Sequence, residues 1–388
     1  MFDIGSKLRP ARTAALAAAG DLVPAAARQR WRPQPVLLLH GFLGFRRLGP
    51  LEYFSGVQRA LEADGFRAHT PRVNPLQRSA YRAYQWFYGR PPQGGRLDSA
   101  PRLHPRPRRL ERCLAPGANA CIADAFLASG RPVLLIAHSQ GCRDARYLLS
   151  PDGLGDWRPF ADRAYPQRLR RLRIRDCVAA LATVAGAHNG MRYAEDERAG
   201  NWILRLMAEP GFNRFVSLLS AERSLGAEAV REHGRRRMLA FNRRHRDPDA
   251  VRLYSVAGLT DRDHCTFFLK QFYDSLRNDQ RFECEENDGL VNLASAVWPV
   301  TATAALERLR APAGPGLLND CFRGRAHKGR WTFLGTICAD HVEQIGLPFA
   351  WPAGRVFRHL DFYRGLARLL AGDLPPHSEL QPDGTWSR

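Results

Sequence analysis

The sequence predicts an α/β fold in which a mostly parallel central sheet carries helices on both faces. Apolar runs of strand length alternate with segments of helical periodicity, and this alternation is typical of parallel sheets. The chain has 388 residues, of which 45% are hydrophobic, so it is long enough for one such domain with insertions. We divide it into an N-terminal arm over residues 1–33, a main domain over 34–375 and a C-terminal tail over 376–388.

The predicted elements alternate along the whole main domain. Strands are expected over the apolar runs 36–39, 66–70, 131–136, 178–185 and 251–256. Helices are expected over 51–63, 79–87, 119–129 and 142–149, and a surface loop rich in proline and glycine over 89–109. Asn119 is the expected N-cap of its helix, because an Asn side chain readily accepts a hydrogen bond from the first helical turn. A helical insertion is expected at about residues 190–250.

The chain is strongly basic, with 58 Lys and Arg residues against 38 Asp and Glu residues and a net charge of +20. Nearly all of the basic residues are arginines scattered along the chain. No nucleic-acid-binding module accompanies them, so specific nucleic-acid binding is not expected. Two explanations stay open, a coding bias towards arginine, which we favour, and attraction to anionic interfaces. No apolar stretch approaches the roughly 18–20 residues of a membrane span.

The cysteine pattern excludes some functions. None of the eight cysteines forms a C-x-x-C pair, which speaks against a zinc ribbon or a redox motif. Cys142, Cys177 and Cys338 adjoin predicted core elements and are interpreted as small buried hydrophobic residues. Whether Cys113 and Cys121 form a disulfide is left open by the sequence.

One short segment carries the strongest functional signal. Residues 137–141, Ala-His-Ser-Gln-Gly, lie between the apolar run 131–136 and the helical pattern over 142–149. A serine with a small residue two positions before it and a glycine two positions after it, between a strand and a helix, is typical of the nucleophile elbow, a sharp strained turn of α/β hydrolases. The turn also puts Ser139 at a helix N-terminus, where unpaired N–H groups and the helix dipole favour negative charge. Ser139 is therefore the candidate nucleophile.

A serine hydroxyl needs a general base within hydrogen-bond reach and an acid that orients the base. In this fold class both follow the serine along the chain, the acid first. His341 is the best base because it lies on a predicted loop after an apolar segment. Asp288 is the best acid because it lies in an Asn-Asp-Gly turn, where glycine permits a positive φ. Asp340 is a rival acid, but it adjoins His341, and neighbouring side chains on one backbone usually diverge.

An oxyanion hole needs two N–H groups aimed at the developing negative charge. One is expected from Gln140, the residue after the nucleophile. The other is expected from Phe42, in the glycine-containing loop after the first strand. His40 and His138 are interpreted as structural, because His40 lies at a strand end and His138 belongs to the elbow.

Several motifs, in family order, resemble the bacterial true lipases typified by the thermostable bacillary and staphylococcal enzymes. The matching segments are Leu38–Phe42, Ile136–Gly141, Glu286–Asn292, Lys328–Trp331 and Asp340–Gly346, with weaker matches at Val73–Leu76 and Thr183–Gly190. The resemblance covers roughly residues 34–370 and implies the α/β-hydrolase fold. It implies Ser139 as nucleophile, Asp288 as acid and His341 as base, with Phe42 and Gln140 as the oxyanion donors.

The chain departs from these lipases at their metal sites. Their zinc site uses an aspartate and histidines of the insertion that follows it. Here Tyr81 stands near the place of the aspartate, and the insertion holds a single histidine, His104, so no zinc is expected. A glutamate of their calcium site is matched by Glu343, but the Asp-Pro partner is missing where Gly346 runs into Leu347. Calcium takes six or more oxygen ligands, so losing a carboxylate argues against calcium. We expect no cofactor. The elbow also ends in Gly141-Cys142 instead of a double glycine.

The resemblance implies a lid that covers the site and moves at a lipid surface. The apolar side chains proposed for it are Trp202, Leu206, Phe212, Phe215 and Leu219. The alternative is that these side chains simply pack on the core. The family is secreted, but residues 1–33 lack a convincing signal peptide, so the compartment stays open.

The sequence therefore predicts a serine carboxylic-ester hydrolase acting on lipid esters, most directly a triacylglycerol lipase. A phospholipase, another esterase or an acyltransferase would use the same triad. A more distant alternative is an inactive lipid- or polyanion-binding protein of the same fold.

Overall fold

The computed structural model describes residues 34–48, 51–92, 97, 119–191, 194–195, 226–277, 286–298, 331–347, 357–374 and 378–387. Its strands are β1 (Pro35–Leu39), β2 (Arg47–Leu48), β3 (Leu51–Glu52), β4 (Arg67–His69), β5 (Val133–His138), β6 (Val178–Val184), β7 (Arg252–Leu259), β8 (Trp331–Cys338), β9 (Glu379–Leu380) and β10 (Trp386–Ser387). Six of these strands form the central sheet in the order β4-β1-β5-β6-β7-β8, and every neighbouring pair is parallel. The remaining four strands form two short antiparallel hairpins, β2-β3 and β9-β10.

The helices surround this sheet. They are α1 (Val57–Ala63), α2 (Ser79–Tyr88), α3 (Ile122–Ser129), α4 (Gln140–Leu149), α5 (Gln167–Arg170), α6 (Gly226–Arg231), α7 (Arg235–Arg244), α8 (Lys270–Arg277), α9 (Leu293–Ala296) and α10 (His359–Ala371), with short 3-10 helices at Ile174–Cys177 and Glu343–Ile345. No helix of the described ranges is long and apolar enough to cross a membrane.

Both faces of the sheet are covered, as strand β1 shows. Leu37 and Leu39 pack in one apolar cluster with residues of α2, α3 and α4. Val36 and Leu38 point to the opposite face and pack in a second cluster with residues of α1 and α10. All four side chains are fully buried, which explains why the strand is a continuous apolar run. The predicted α/β architecture is confirmed.

The helix predicted over 51–63 is wrong at its start. Leu51 and Glu52 pair instead with Leu48 and Arg47 in the β2-β3 hairpin, and the helix begins only at Val57. The residue before it, Gly56, has a φ of 69°, a left-handed conformation that a right-handed helix cannot pass through. The apolar residues of this segment therefore serve a hairpin and a helix.

The prediction of Asn119 as a helix cap is also wrong. Helix α3 is preceded by Cys121, whose N–H donates to the Asp124 carboxyl at 3.2 Å. Asn119 instead pairs with the backbone of Arg72, accepting from its N–H at 2.5 Å and donating to its carbonyl at 3.2 Å. A contact between residues distant in sequence displaced the local cap.

Part of the chain for which structure was predicted lies outside the described residues. This applies to the arm over 1–33, to most of the loop over 89–109 and to the lid side chains between Trp202 and Leu219. Within the insertion, the described elements are α6 and α7. Near the C-terminus, the β9-β10 hairpin packs on α10, with Trp386 Nε1 donating to the Phe362 carbonyl at 3.3 Å.

The topology places the predicted site residues at one edge of the sheet. Strand β1 pairs with β4 on one side and with β5 on the other, so the direction in which strands are added reverses at β1. In open parallel sheets, ligands bind at the carboxyl ends of the strands beside such a reversal. The loop containing Phe42 follows β1, Ser139 follows β5, and His341 follows β8 by three residues.

Candidate active site

Ser139 lies in a strained turn between β5 and α4. Its φ is 57° and its ψ is −126°, a backbone conformation that non-glycine residues rarely adopt. The N–H of Ser139 donates to the Val184 carbonyl at 3.0 Å, which anchors the turn to β6. This is the conformation expected of a nucleophile elbow.

Two glycines allow the backbone to approach the elbow. A Cβ on Gly41 would lie 2.6 Å from Ser139 Cβ, and a Cβ on Gly141 would lie 2.5 Å from the Leu39 carbonyl oxygen. Both distances are shorter than a real carbon contact, so neither position accommodates a side chain. The glycines therefore bring the β1 loop and the start of α4 against the serine.

Cys142 occupies a position where the lipase motif has glycine, and Gly186 provides the necessary space. The Cys142 side chain is 1% exposed, and its thiol lies 3.3 Å from the Ala137 carbonyl. A Cβ on Gly186 would lie only 2.8 Å from Cys142 Cβ. Burial raises the pKa of the Cys142 thiol, so this group is an inert packing residue.

His341 and Asp288 are brought together although 53 residues separate them. Nδ1 of His341 donates to Asp288 Oδ2 at 2.8 Å, and the His341 N–H donates to the Asp288 carbonyl at 2.9 Å. Asp288 is fully buried, and its Oδ1 accepts from the N–H groups of Leu290 and Val291 at 3.0 and 2.7 Å. The carboxyl is thus held in one orientation with one oxygen towards the imidazole.

Gln344 is a further member of this group that the sequence did not indicate. Its fully buried side chain donates from Nε2 to Asp288 Oδ2 at 2.9 Å and lies 3.2 Å from the Ala339 carbonyl. The same carboxyl oxygen therefore accepts hydrogen bonds from both Gln344 and His341. The only local indication of this role is that Gln344 lies three residues after His341. The role itself depends on the contact with Asp288, which exists only in the folded protein.

Asp340, the rival acid, has a different task. Its Oδ1 accepts from the N–H groups of Val342 and Glu343 at 2.9 and 2.8 Å, and its Oδ2 accepts from Thr266 at 2.7 Å. Glu343 in turn accepts from the Asp340 N–H at 2.8 Å. Asp340 therefore stabilises the turn that carries His341 and does not orient the imidazole.

The ring of His341 packs against His138, the residue that precedes Ser139 in the chain. The centroids of the His138 and His341 rings lie 4.6 Å apart, which puts the imidazole beside the elbow. His341 Nε2 is buried and has no hydrogen-bond partner in the part of the chain that the structure describes. Catalytic hydrogen bonds are often long in unliganded enzymes and tighten when substrate binds.

A pocket of about 490 Å³, including its open mouth, lies at Ser139. Phe42 and Gln140, which carry the predicted oxyanion donors, line the same pocket. The Gln140 N–H is the first of helix α4, where no intrahelical acceptor exists. On either side of Phe42, the N–H of Gly41 donates to Tyr53 Oη at 2.9 Å and that of Leu43 to the Pro75 carbonyl at 3.3 Å. These two bonds hold the loop that presents Phe42.

A buried ion pair between α2 and α4 supports the loop that follows β1. Arg82 on α2 and Asp144 on α4 are fully buried, with 2.7 Å between Nε and Oδ2. Nη2 of Arg82 also donates to the His40 and Gly41 carbonyls at 2.5 and 3.3 Å. Trp86 Nε1 donates to Asp144 Oδ2 at 3.0 Å. One guanidinium thus ties the β1 loop to the helix that begins at the elbow.

Tyr53 links the loop to the elbow from the other side. Its hydroxyl accepts from the Gly41 N–H and lies 2.8 Å from His138 Nδ1. Burial raises the pKa of Tyr53, so the hydroxyl keeps its proton and donates it to Nδ1. Burial and the neighbouring His341 hold the pKa of His138 well below its usual value, which makes its ring a neutral acceptor.

His40 is also structural, as predicted from its position. Burial and the Arg82 charge lower the pKa of His40 to about 3, and its Nδ1 lies 3.1 Å from the Gly41 carbonyl. The ring packs edge-on against Trp86, with 4.9 Å between the centroids. His40 therefore stays neutral and helps to hold the loop.

Known proteins share this architecture. No protein-family model matches the chain. Among curated proteins, it is 23% identical over 299 residues to a triacylglycerol lipase of Pseudomonas fragi, a match that covers 68% of this chain and 81% of that protein. Lipase 1 of Pelosinus fermentans aligns in structure with a TM-score of 0.52 at 16% identity, over 87% of this chain and 98% of its own. The Staphylococcus hyicus lipase aligns with a TM-score of 0.52 at 15% identity, over 81% and 90%.

The chain has the α/β-hydrolase fold. Its similarity to bacterial lipases confirms the resemblance inferred from the motifs. Within an α/β-hydrolase fold, a serine on the turn between a parallel strand and a helix, an acid and a histidine on later loops form the usual arrangement. Here Ser139 lies on the turn between β5 and α4, Asp288 lies between β7 and β8, and His341 lies on the loop after β8.

We expect Tyr53→Phe to lower kcat about ten- to a hundredfold while KM changes little, because the Gly41 N–H loses its acceptor and the loop loses its anchor. Steady-state kinetics on a soluble ester give kcat and KM separately and so test this expectation. Tyr363→Phe is the matched control, since the Tyr363 hydroxyl is buried and no described residue accepts or donates to it. Equal losses in the two variants would show that the Tyr53 hydroxyl has no special role.

We expect Arg82→Met to destabilise the protein by about 3–5 kcal/mol, because it leaves Asp144 buried without its cation. Adding Asp144→Leu removes the unpaired acid and should recover much of the free energy of unfolding measured in urea. The double variant should remain poorly active, since the His40 and Gly41 carbonyls still lack their donor. Full ester hydrolysis by the double variant would contradict the proposed support of the loop.

Proposed function

We propose that the protein is a serine carboxylic-ester hydrolase that acts on lipid esters, most directly a triacylglycerol lipase. The observation that carries this proposal is the 2.8 Å bond between His341 and buried Asp288 beside an elbow serine that lines an apolar pocket. The similarity to a protein named triacylglycerol lipase supports the same reaction class.

In the proposed reaction, Ser139 Oγ attacks the ester carbonyl while His341 Nε2 accepts the hydroxyl proton. The N–H groups of Phe42 and Gln140 donate to the oxygen that becomes negative. The intermediate then collapses, His341 returns the proton to the leaving alcohol, and an acyl group stays on Ser139. Water, deprotonated by the same imidazole, releases the acid and restores the serine.

Asp288 supports both proton transfers. Its Oδ2 accepts from His341 Nδ1, which leaves the Nε2 lone pair available to the serine proton. When His341 becomes an imidazolium, the carboxylate opposite it stabilises the positive charge. Gln344 donates to the same oxygen and keeps the acid from rotating away.

The pocket favours an acyl chain over a sugar or a peptide. Apolar side chains line most of it, including Met191, Leu290 and Val291, and an apolar pocket with few polar groups suits a hydrocarbon chain. A phospholipase, another esterase or an acyltransferase would share the same triad. Relative rates on long-chain triglyceride emulsions, short soluble esters and phospholipids separate these reactions.

Ser139→Ala and His341→Ala should each lower kcat by about 10⁶-fold if the triad acts as a unit. Ester hydrolysis and labelling with a fluorophosphonate probe measure the effect, and the probe should modify only protein that retains Ser139. The proposal fails if Ser139→Ala keeps most of the esterase activity. An inactive binding protein would leave the probe unreacted in the unmodified chain.

Asp288→Asn and Asp340→Asn separate the two acids. The first should lower kcat by about 10⁴-fold, because an amide neither fixes the imidazole tautomer nor stabilises its charge. The second should mainly lower the melting temperature, because Asp340 accepts from two backbone N–H groups of its own turn and from the N–H of distant Thr266. Comparing kcat with thermal unfolding tests the assignment, and the reverse pattern would exchange the two roles.

A further inference from the structure

One side chain in the pocket does not suit a purely apolar substrate. The lining contains Ala187, Met191, Ala229, Val230, Leu290 and Val291 beside Ser139, Phe42 and Gln140. His233 belongs to the same lining and is 5% exposed. His233 belongs to the turn between α6 and α7 and takes no part in the proposed proton relay.

The hydrogen bonding of His233 defines which ring nitrogen is an acceptor. Nδ1 lies 3.0 Å from the Ala229 carbonyl, and a carbonyl only accepts, so Nδ1 carries the proton. Burial, reinforced by the Arg143 charge, lowers the pKa of His233 to about 4, so the ring is neutral. A neutral imidazole protonated at Nδ1 has a lone pair on Nε2.

Among the described residues, neither this lone pair nor a second acceptor on a residue of the pocket lining has a donor. His233 Nε2 and Gln140 Oε1 are both buried and lack hydrogen-bond partners among the described residues. The Gln140 amide donates from Nε2 to the Gln77 carbonyl at 3.0 Å, which identifies Oε1 as the unused end. Buried acceptors without donors destabilise a fold, so two of them on residues that line one pocket point to a donor on the ligand.

The turn that carries His233 is held rigidly. The carboxyl of the neighbouring Glu232 pairs at 3.0 Å with Arg78, the residue before α2, and at 2.5 Å with Arg143 of α4, which ties the turn to both helices. The Met191 N–H donates to the His233 carbonyl at 2.8 Å. A preorganised acceptor loses little entropy on binding and discriminates well between ligands with and without a donor.

We infer that the pocket binds an ester that carries a free hydroxyl group, and that this hydroxyl donates to His233 Nε2. The inference rests on the proposed ester hydrolysis and adds the substrate class. A hydroxyl fits better than an ammonium group, because the described lining residues include no carboxylate and Arg143 lies next to the turn. Gln140 Oε1 is the second acceptor without a described donor on a residue of this lining.

The hydroxyl has two sources, the alcohol part of the ester, as in a partial glyceride, or the acyl part, as in a hydroxyacyl ester. Two matched pairs distinguish them by exchanging a hydroxyl for a methyl group. The first pair is 2-hydroxyethyl butyrate and propyl butyrate, and the second is ethyl 3-hydroxybutyrate and ethyl 3-methylbutyrate. Dividing each kcat/KM ratio by the ratio for hydroxide hydrolysis removes the intrinsic reactivity of the esters.

For the unmodified protein we expect one of the two corrected ratios to favour the hydroxylated ester by about tenfold. His233→Leu should bring that ratio close to one while hydrolysis of the methyl analogue continues. His245→Leu is the matched control, because His245 Nδ1 contacts the carbonyl four residues earlier at 3.1 Å, as in His233, but lies outside the pocket lining. Its ratio should stay at the unmodified value.

His233→Gln provides a second variant if the leucine variant does not fold, since its amide oxygen keeps an acceptor and should retain part of the preference. The inference is overturned if neither pair shows a preference in the unmodified protein, or if the preference survives in the leucine variant. Ser139→Ala is measured on the same four esters. If that variant hydrolyses them normally, the proposed function fails; if only the hydroxyl preference is missing, the proposed function stands.

Discussion

The close approach of backbone to backbone at the elbow is the constraint on which the rest of this site depends. Ser139 reaches the pocket because its turn adopts a φ of 57°. That turn fits only where the backbone positions packed most closely around it lack side chains. Gly41 and Gly141 meet this condition against Ser139 and the end of β1. The same approach puts Phe42 and Gln140 in one pocket with the serine, so the proposed oxyanion donors and the proposed nucleophile have a common structural origin.

Buried polar groups then hold the loops around the elbow in place. Arg82 binds two carbonyls of the β1 loop while its partner Asp144 lies on the elbow helix, and Tyr53 joins the same loop to His138. Burying an ion pair is costly and adds little net stability compared with apolar packing. The ion pair instead positions the β1 loop against α4, because a charged hydrogen-bond network of this kind has one well-defined geometry.

Where prediction from sequence was wrong or incomplete, the deciding contacts joined distant segments. The helix expected from residue 51 became a hairpin and a shorter helix after Gly56, and Asn119 was drawn to Arg72, 47 residues away. Gln344 acquires its role only beside Asp288, and Arg82 only beside Asp144, over separations of 56 and 62 residues. Apolar periodicity and turn chemistry report which secondary structure a short segment prefers. They carry no information about which distant residue a side chain will contact.

The sequence by itself determined the α/β class and the candidate nucleophile and base, and it favoured Asp288 over the rival Asp340 as the candidate acid. These follow from local patterns, namely apolar strand runs, a serine between small residues and an Asn-Asp-Gly turn, each of which limits the backbone within a few residues. The tertiary structure alone decided that Asp288 and not Asp340 faces His341, and that His233 presents an unused acceptor to the pocket. The reason is that a side chain's hydrogen-bond partner is chosen by the spatial meeting of loops from different strands, and this meeting exists only in the folded sheet.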